Sequence, residues 1–144
     1  MKKILSSLDS NIQYLNHEFR GDTIVFQAKT KCVKATCPYC GIETYKVHSK
    51  YHRVFQNLPV STFETIIHLE LLKFFCINTD CSYTTFSAPL SFIGPKARKT
   101  KRLEKEILAL SLEMSSISSA KRLNQQKIKI SKSTICRLIK KKKL

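Results

Sequence analysis

Cys37-Pro38-Tyr39-Cys40-Gly41, answered downstream by Cys76-Ile77-Asn78-Thr79-Asp80-Cys81, is the stretch on which the fold of this chain turns. A C-x₂-C and a C-x₄-C, each placed where a strand meets a turn, have the spacing of a four-thiolate zinc site. Tetrahedral zinc takes four ligands, and each short loop can bring two sulfurs to about 2.3 Å from one ion. Pro38 stiffens the first loop, and Gly41 is free to take the positive φ that turns backbone N–H groups towards sulfur. The expected ligands are Cys37, Cys40, Cys76 and Cys81, the expected cofactor is Zn²⁺, and the metal is expected to hold a small binding module together.

Three other readings of the same residues compete. Disulfides are disfavoured because the start, Met1-Lys2-Lys3-Ile4-Leu5, leads into Ser6-Ser7-Leu8-Asp9-Ser10 without an apolar run of roughly 7–15 residues or a cleavage site. A reducing, cytoplasmic setting follows as the expectation, and there metal is favoured over disulfide. His48 and His52 could complete a two-Cys, two-His finger, but His48 follows Cys40 too closely for the roughly twelve-residue separation such a finger needs. Cys32 could replace one ligand; it and Cys136 are read as spare thiols.

Charge is distributed unevenly. Residues 1–95 hold ten basic and seven acidic side chains, whereas residues 96–144 hold sixteen basic and three acidic, a net charge of +13 out of +16. Such a density marks the second segment as the footprint of a polyanion, most commonly nucleic acid, with a solvated basic tail as the plainer alternative. No apolar run approaches the roughly 18 residues of a membrane span.

Strand patterning fills the first part of the chain. Ile12 to Phe19 and Thr23 to Ala28 flank Arg20-Gly21-Asp22 as a hairpin, and Glu43 to His48 with Tyr51 to Leu58 read as a second pair. Phe63 to Phe75 is the longest strand, with Phe63, Thr65, Ile67, Leu69 and Leu71 on one face and Glu64, His68 and Glu70 on the other. It delivers Cys76 to the metal, so the two cysteine loops would meet across a small antiparallel sheet; His68 reads as a surface histidine.

Around Gly94-Pro95 the period changes from strand to helix. Leu103, Ile107, Leu110 and Met114 form one helical stripe that Thr100 could cap; Ile117, Ala120 and Leu123 suggest a second helix from about Ser116 to Gln126. Lys127 to Ile130 would be the turn, and Ser131 the cap of a third helix with Ile135, Leu138 and Ile139 facing inwards. Ala120 permits the close packing of a helix-turn-helix. The outward edge of the third helix carries Lys132, Ser133, Thr134 and Arg137, where a recognition helix meets the major groove, with Arg137 either reading a base or clamping a phosphate. Lys140 and Lys141, within the run Lys140 to Lys143, add phosphate attraction. The expected fold is thus α+β: a zinc-ribbon-like β module with an N-terminal hairpin over 1–90, a linker over 91–99, and a three-helix DNA-binding module over 100–144.

These motifs, together with Val47-His48-Ser49-Lys50-Tyr51-His52-Arg53, Asn57-Leu58-Pro59, and Phe74-Phe75-Cys76 with Cys81 and Phe86, resemble the N-terminal zinc-binding region of bacterial transposases of the ISL-three insertion-sequence family. Ile130-Ser131-Lys132-Ser133-Thr134-Ile135-Cys136-Arg137-Leu138-Ile139 is similar to that family's helix-turn-helix, and the resemblance runs from about residue 10 to the C-terminus. It implies recognition of the terminal inverted repeats of an insertion sequence during transposition, with double-stranded DNA as partner in the bacterial nucleoid and a homo-oligomer compatible with the role. Two departures stand out. Leu72-Lys73-Phe74-Phe75 occupies the stretch where the family tends to place a pair of arginines before the third cysteine, and Ala88 stands at an acidic position after Phe86. Both leave the zinc site intact and weaken the case for family-like DNA contacts by the zinc module.

In such transposases a later domain with three metal-binding carboxylates cuts and joins DNA, and the chain is expected to be a truncated form lacking it. The acids Asp9, Glu18, Asp22, Glu43, Glu64, Glu70, Asp80, Glu104, Glu106 and Glu113 are scattered, whereas two-metal phosphoryl transfer needs carboxylates gathered on a rigid scaffold. Four thiolates also close a zinc ion to substrate. The expectation is a DNA-binding protein without enzyme activity of its own. The alternative is a stand-alone zinc-ribbon regulator or an RNA-binding accessory protein, which would need aromatic stacking platforms; Phe63, Phe74 and Phe75 fall instead in strands.

Overall fold

The computed structural model describes residues 5–6, 8–88, 90–94, 97–111, 116–125, 128 and 132–143, with the side chains of 116, 117, 119 and 141–143 left out. Seven strands precede three helices among these residues: β1 (Ile12–Arg20), β2 (Thr23–Thr30), β3 (Ala35–Thr36), β4 (Glu43–Thr44), β5 (Val47–Val60), β6 (Phe63–Phe75) and β7 (Thr85–Ser87), then α1 (Lys101–Ser111), α2 (Ser116–Gln125) and α3 (Lys132–Lys143). The expected α+β class holds. Met114, the Ile117 side chain, the Ser131 cap, the Lys141 side chain, Pro95 and most of the Lys127 to Ile130 turn lie outside the described residues.

The first hairpin forms as its sequence requires. Arg20 pairs with Thr23 across a two-residue turn, and Gly21 supplies the positive φ, +59°, that such a turn demands. The long hairpin β5–β6 turns at Ser61, which takes φ +55° despite carrying a side chain.

The sheet is mostly antiparallel, as expected, with one parallel pairing. Its strand order is β1-β2-β6-β5, and β2 runs parallel to β6, from Thr23 opposite Glu64 to Lys29 opposite Glu70. β5 takes one edge of β6 through the tight turn, leaving the other edge for β2. The long connection between β2 and β6, which contains the first cysteine loop, gives the chain length that a parallel pairing needs. Beyond the end of β2, β7 pairs antiparallel with Lys73 to Phe75. The second expected hairpin also does not form. Glu43–Thr44 pairs with Ala35–Thr36, while Val47–Val60 is one continuous strand matched along almost the whole of β6. A thirteen-residue partner offers more ladder bonds than a short local hairpin could.

Parity fixes the core. Phe26 lies opposite Ile67, and Ile67 opposite Phe55, so three strands present one apolar row on one face. Ile12, Ile24, Ala28, Leu69 and Leu71 extend that row, and Leu5, Phe92 and Ile93 pack against it. The stretch read as a linker therefore packs on the sheet: Phe92 and Phe55 have ring centroids 5.6 Å apart, and Arg53 donates to the carbonyls of Gly94 (3.0 Å) and Ala97 (2.9 Å). On β6 the buried parity changes after Leu71. Phe74, an even position, is buried by a second cluster containing Ala35, Cys37 and Phe86 on the opposite side.

The helices surround a third cluster, Leu103, Ile107, Leu123, Ile128 and Ile135, joined by Leu110, Ala120, Leu138 and Ile139 as the helical stripes predict. Leu58 of β5 inserts into it and ties the helices to the sheet. Thr100 caps α1: its Oγ1 accepts from the Leu103 amide at 3.3 Å while donating to the buried Asn57 Oδ1 at 2.8 Å. Thr100→Ala should cost about 1–3 kcal/mol, since it removes the cap and leaves Asn57 without that partner. Urea titration of the variant checks this; a midpoint equal to that of the parent would contradict it.

Candidate functional site

β3 and β4 form a short hairpin whose loop carries Cys37 and Cys40. The Gly41 amide donates to the Cys37 carbonyl at 2.9 Å, the Cys37 amide to the Ile42 carbonyl at 3.0 Å, and Gly41 takes φ +79°, the conformation its position in the knuckle calls for. The second loop leaves β6 at Cys76, whose amide donates to the Thr84 carbonyl at 2.9 Å. Asn78 then shapes the turn, its Oδ1 accepting from the Asp80 amide and its carbonyl from the Cys81 amide.

The four ligand sulfurs lie within 4.8 Å of one another. Cys37 Sγ is 4.0 Å from Cys81 Sγ, and Cys40 Sγ is 3.5 Å from Cys76 Sγ. Tetrahedral zinc with bonds of about 2.3 Å sets its sulfurs about 3.8 Å apart, so the cluster has the size of the coordination shell. A disulfide would require about 2.05 Å, and none of the six cysteines is in a disulfide. The thiols also perturb one another. Cys40 is lowered to about 7, chiefly by the Ile42 backbone hydrogen bond. Cys76 is pushed up to about 12: the Asn78 backbone hydrogen bond pulls it down, but burial and the neighbouring cysteine thiols outweigh it. A divalent cation bound among the four sulfurs would favour the thiolate form of its ligands.

The competing ligands fall elsewhere. His48 is exposed, bonded to Ser49 and edge-on to Phe75 at 4.8 Å. His52 faces Glu70 at 3.8 Å. Cys32 and Cys136 are outside the cluster. Phe74 and Phe86, with ring centroids 5.9 Å apart, join the metal site to the sheet. One feature was missed from sequence: Tyr39 and Tyr83 stack at 3.6 Å and 12° between the two loops, with about half of each side chain exposed. Their signal was position, each within two residues of a cysteine.

On α3, Lys132, Ser133, Arg137 and Lys140 are exposed and Thr134 is half-buried, while Ile135 is fully buried. Thr134, Arg137 and Leu138 form one wall of a cleft of about 420 Å³; Arg98, Lys99 and Glu104 form the other. Arg98 and Lys99 were not singled out from sequence, because only the docking of α3 beside the start of α1 brings them to Arg137. No helix among the described residues is long and apolar enough to cross a membrane.

Residues 34–81 match the family model described as the zinc-finger of transposase IS204/IS1001/IS1096/IS1165. That span contains all four clustered cysteines, and together the match and the cluster identify Zn²⁺ as the cofactor. The match covers the zinc region and supports the transposase resemblance there. No match was found among curated proteins or among solved structures.

Proposed function

We propose that this chain is a DNA-binding unit of a transposase-related protein, recognising the terminal inverted repeats of an insertion sequence. The observation that carries the reading is the coincidence of the transposase zinc-finger match with a complete four-thiolate cluster. The zinc ribbon is the structural anchor. DNA contact is assigned to the helical half, whose segment from residue 96 carries a net +13 and whose α3 exposes Lys132, Arg137 and Lys140. In this proposal α2 and α3 act as a helix-turn-helix, with α3 entering the major groove. No catalytic step is assigned to these residues: four thiolates close the zinc ion, and Glu43, Glu70 and Glu18, on three different strands, each face a basic or imidazole side chain.

Fluorescence anisotropy of the intact chain tests the reading, using duplexes that carry inverted-repeat ends from the same genome and mixed-sequence duplexes as reference. Binding to the ends should be tighter by roughly 10³-fold or more. Equal affinity for both would reduce the function to unspecific DNA binding. The Tyr39–Tyr83 stack favours a second reading, a single-stranded nucleic-acid binder, because exposed rings are the platforms on which unpaired bases stack. Tyr83→Ala separates the two: a loss of about 1–3 kcal/mol on single-stranded RNA would favour the second, and unchanged duplex affinity is expected under the first.

A further inference from the structure

The cleft between the start of α1 and α3 differs from the rest of the basic surface in being built rather than merely charged. Arg98 and Lys99 sit in an extended segment fastened to β5. The Gln56 amide donates to the Arg98 carbonyl at 2.8 Å, the Thr100 amide returns a bond to the Gln56 carbonyl at 3.0 Å, and Lys99 forms a parallel bridge with Gln56. The opposite wall is fixed as firmly. Ile135 is fully buried in the helical cluster and Leu138 packs beside it, which sets the rotation of α3 and turns Thr134 and Arg137 towards Arg98 and Lys99. Three cations from two rigid elements thus line one cleft with a single carboxylate, Glu104. None of the ion pairs Arg20–Glu18, Lys34–Glu43 and His52–Glu70 engages these three cations.

We infer that this cleft is a phosphodiester-binding site, in which Arg98, Lys99 and Arg137 together hold one segment of the DNA backbone. The inference rests on the DNA-binding reading above and decides between the two roles open to Arg137. A base-reading arginine spends its donors on a base edge in the groove, whereas Arg137 borders a pocket shared with two further cations. Convergent charges on fixed backbones suit a phosphate, whose oxygens accept from several donors at once, and interactions of this kind position a protein on DNA without reading its sequence. The chemistry of the partner is a polyanionic backbone with phosphates spaced along a duplex. Glu104 is the opposing element: its carboxylate competes for the same cations and weakens the site.

The test is anisotropy of the intact chain on mixed-sequence and inverted-repeat duplexes across about 50–200 mM salt. Arg137→Ala and the pair Arg98→Ala with Lys99→Ala should each weaken binding by the same factor on both duplexes. For every phosphate no longer neutralised, the slope of log affinity against log salt should fall by about one unit. Combining them should cost less than the product of the separate effects, because the residues share a ligand. Glu104→Gln should do the reverse and tighten binding on both duplexes, a gain that a damaged fold would not produce. The inference is overturned if Arg137→Ala abolishes preference for the inverted repeats with the salt slope intact, which would make it a base reader. It is overturned equally if the Arg98 and Lys99 changes leave affinity and slope untouched while Arg137→Ala does not. Failure of the unaltered chain to bind either duplex would instead remove the DNA-binding reading itself.

Discussion

Stripping zinc from the reduced protein is expected to unfold residues 34–46 and 76–87, β7 included, while the four strands β1-β2-β6-β5 stay paired. The cluster around the metal has few large apolar side chains: Ala35, Cys37, Phe74 and Phe86 are its buried members. So small a core does not hold two loops together unaided. Structural zinc binding is worth about 10–16 kcal/mol at neutral pH, comparable with the whole stability of an ordinary domain. The main core has its own row of Phe26, Phe55, Ile67 and Leu69 and does not depend on the ion. Amide exchange after chelation should therefore lose protection at Gly41 and Cys81 and keep it at Phe26 and Ile67. Cys76→Ser should reproduce the effect, whereas Cys32→Ser, Cys136→Ser and His48→Ala should retain one zinc per chain. Metal analysis showing no zinc in the reduced protein, or metal surviving Cys76→Ser but not His48→Ala, would defeat the four-thiolate assignment.

The second large effect is electrostatic. Arg98, Lys101, Arg102, Lys105, Lys132, Arg137 and Lys140 are all at least partly exposed in the helical half. If these meet about six to ten phosphates, duplex affinity of the intact chain should fall by roughly 10³–10⁵ between 50 and 200 mM salt, as bound counterions cease to be released into dilute solution. Filter binding or anisotropy over that range measures the slope. A decline of only about tenfold would correspond to about two phosphates and would assign most of the +13 segment to a solvated surface. Lys46 is the control. Its Nζ lies 5.3 Å from the Phe75 ring centre in the zinc half, and Lys46→Ala should leave the slope unchanged.

The helical half is best probed by charge substitutions rather than by cutting the chain near residue 95. Leu58 belongs to the helical cluster, and Asn57 is buried against Thr100. Removing the helices would expose both and confuse weakened DNA binding with damage to β5.

How far the sequence reached depended on the range of the interaction involved. The cysteine spacings determined the metal and its four ligands, because coordination chemistry dictates separations that local loops can satisfy by themselves. The alternation from Phe63 to Leu71 determined β6 and its buried face, and the 3.6-residue stripes determined the helices, since each period follows from backbone geometry alone. Gly21 and Gly41 marked the turns that need positive φ. Tertiary structure decided everything that required choosing a partner. Which strand would claim the free edge of β6 depended on competition among long-range pairings, so the parallel β2–β6 pairing and the single long β5 were not legible in local pattern. The burial of Phe92 and Ile93 was hidden because a short irregular segment has no period to betray the face it covers. Arg98 and Lys99 looked like any two cations in a basic chain. They came to line one cleft with Arg137 only when β5 fixed their backbone and the burial of Ile135 set the rotation of α3, because a cleft is a property of distances between elements and not of either element alone.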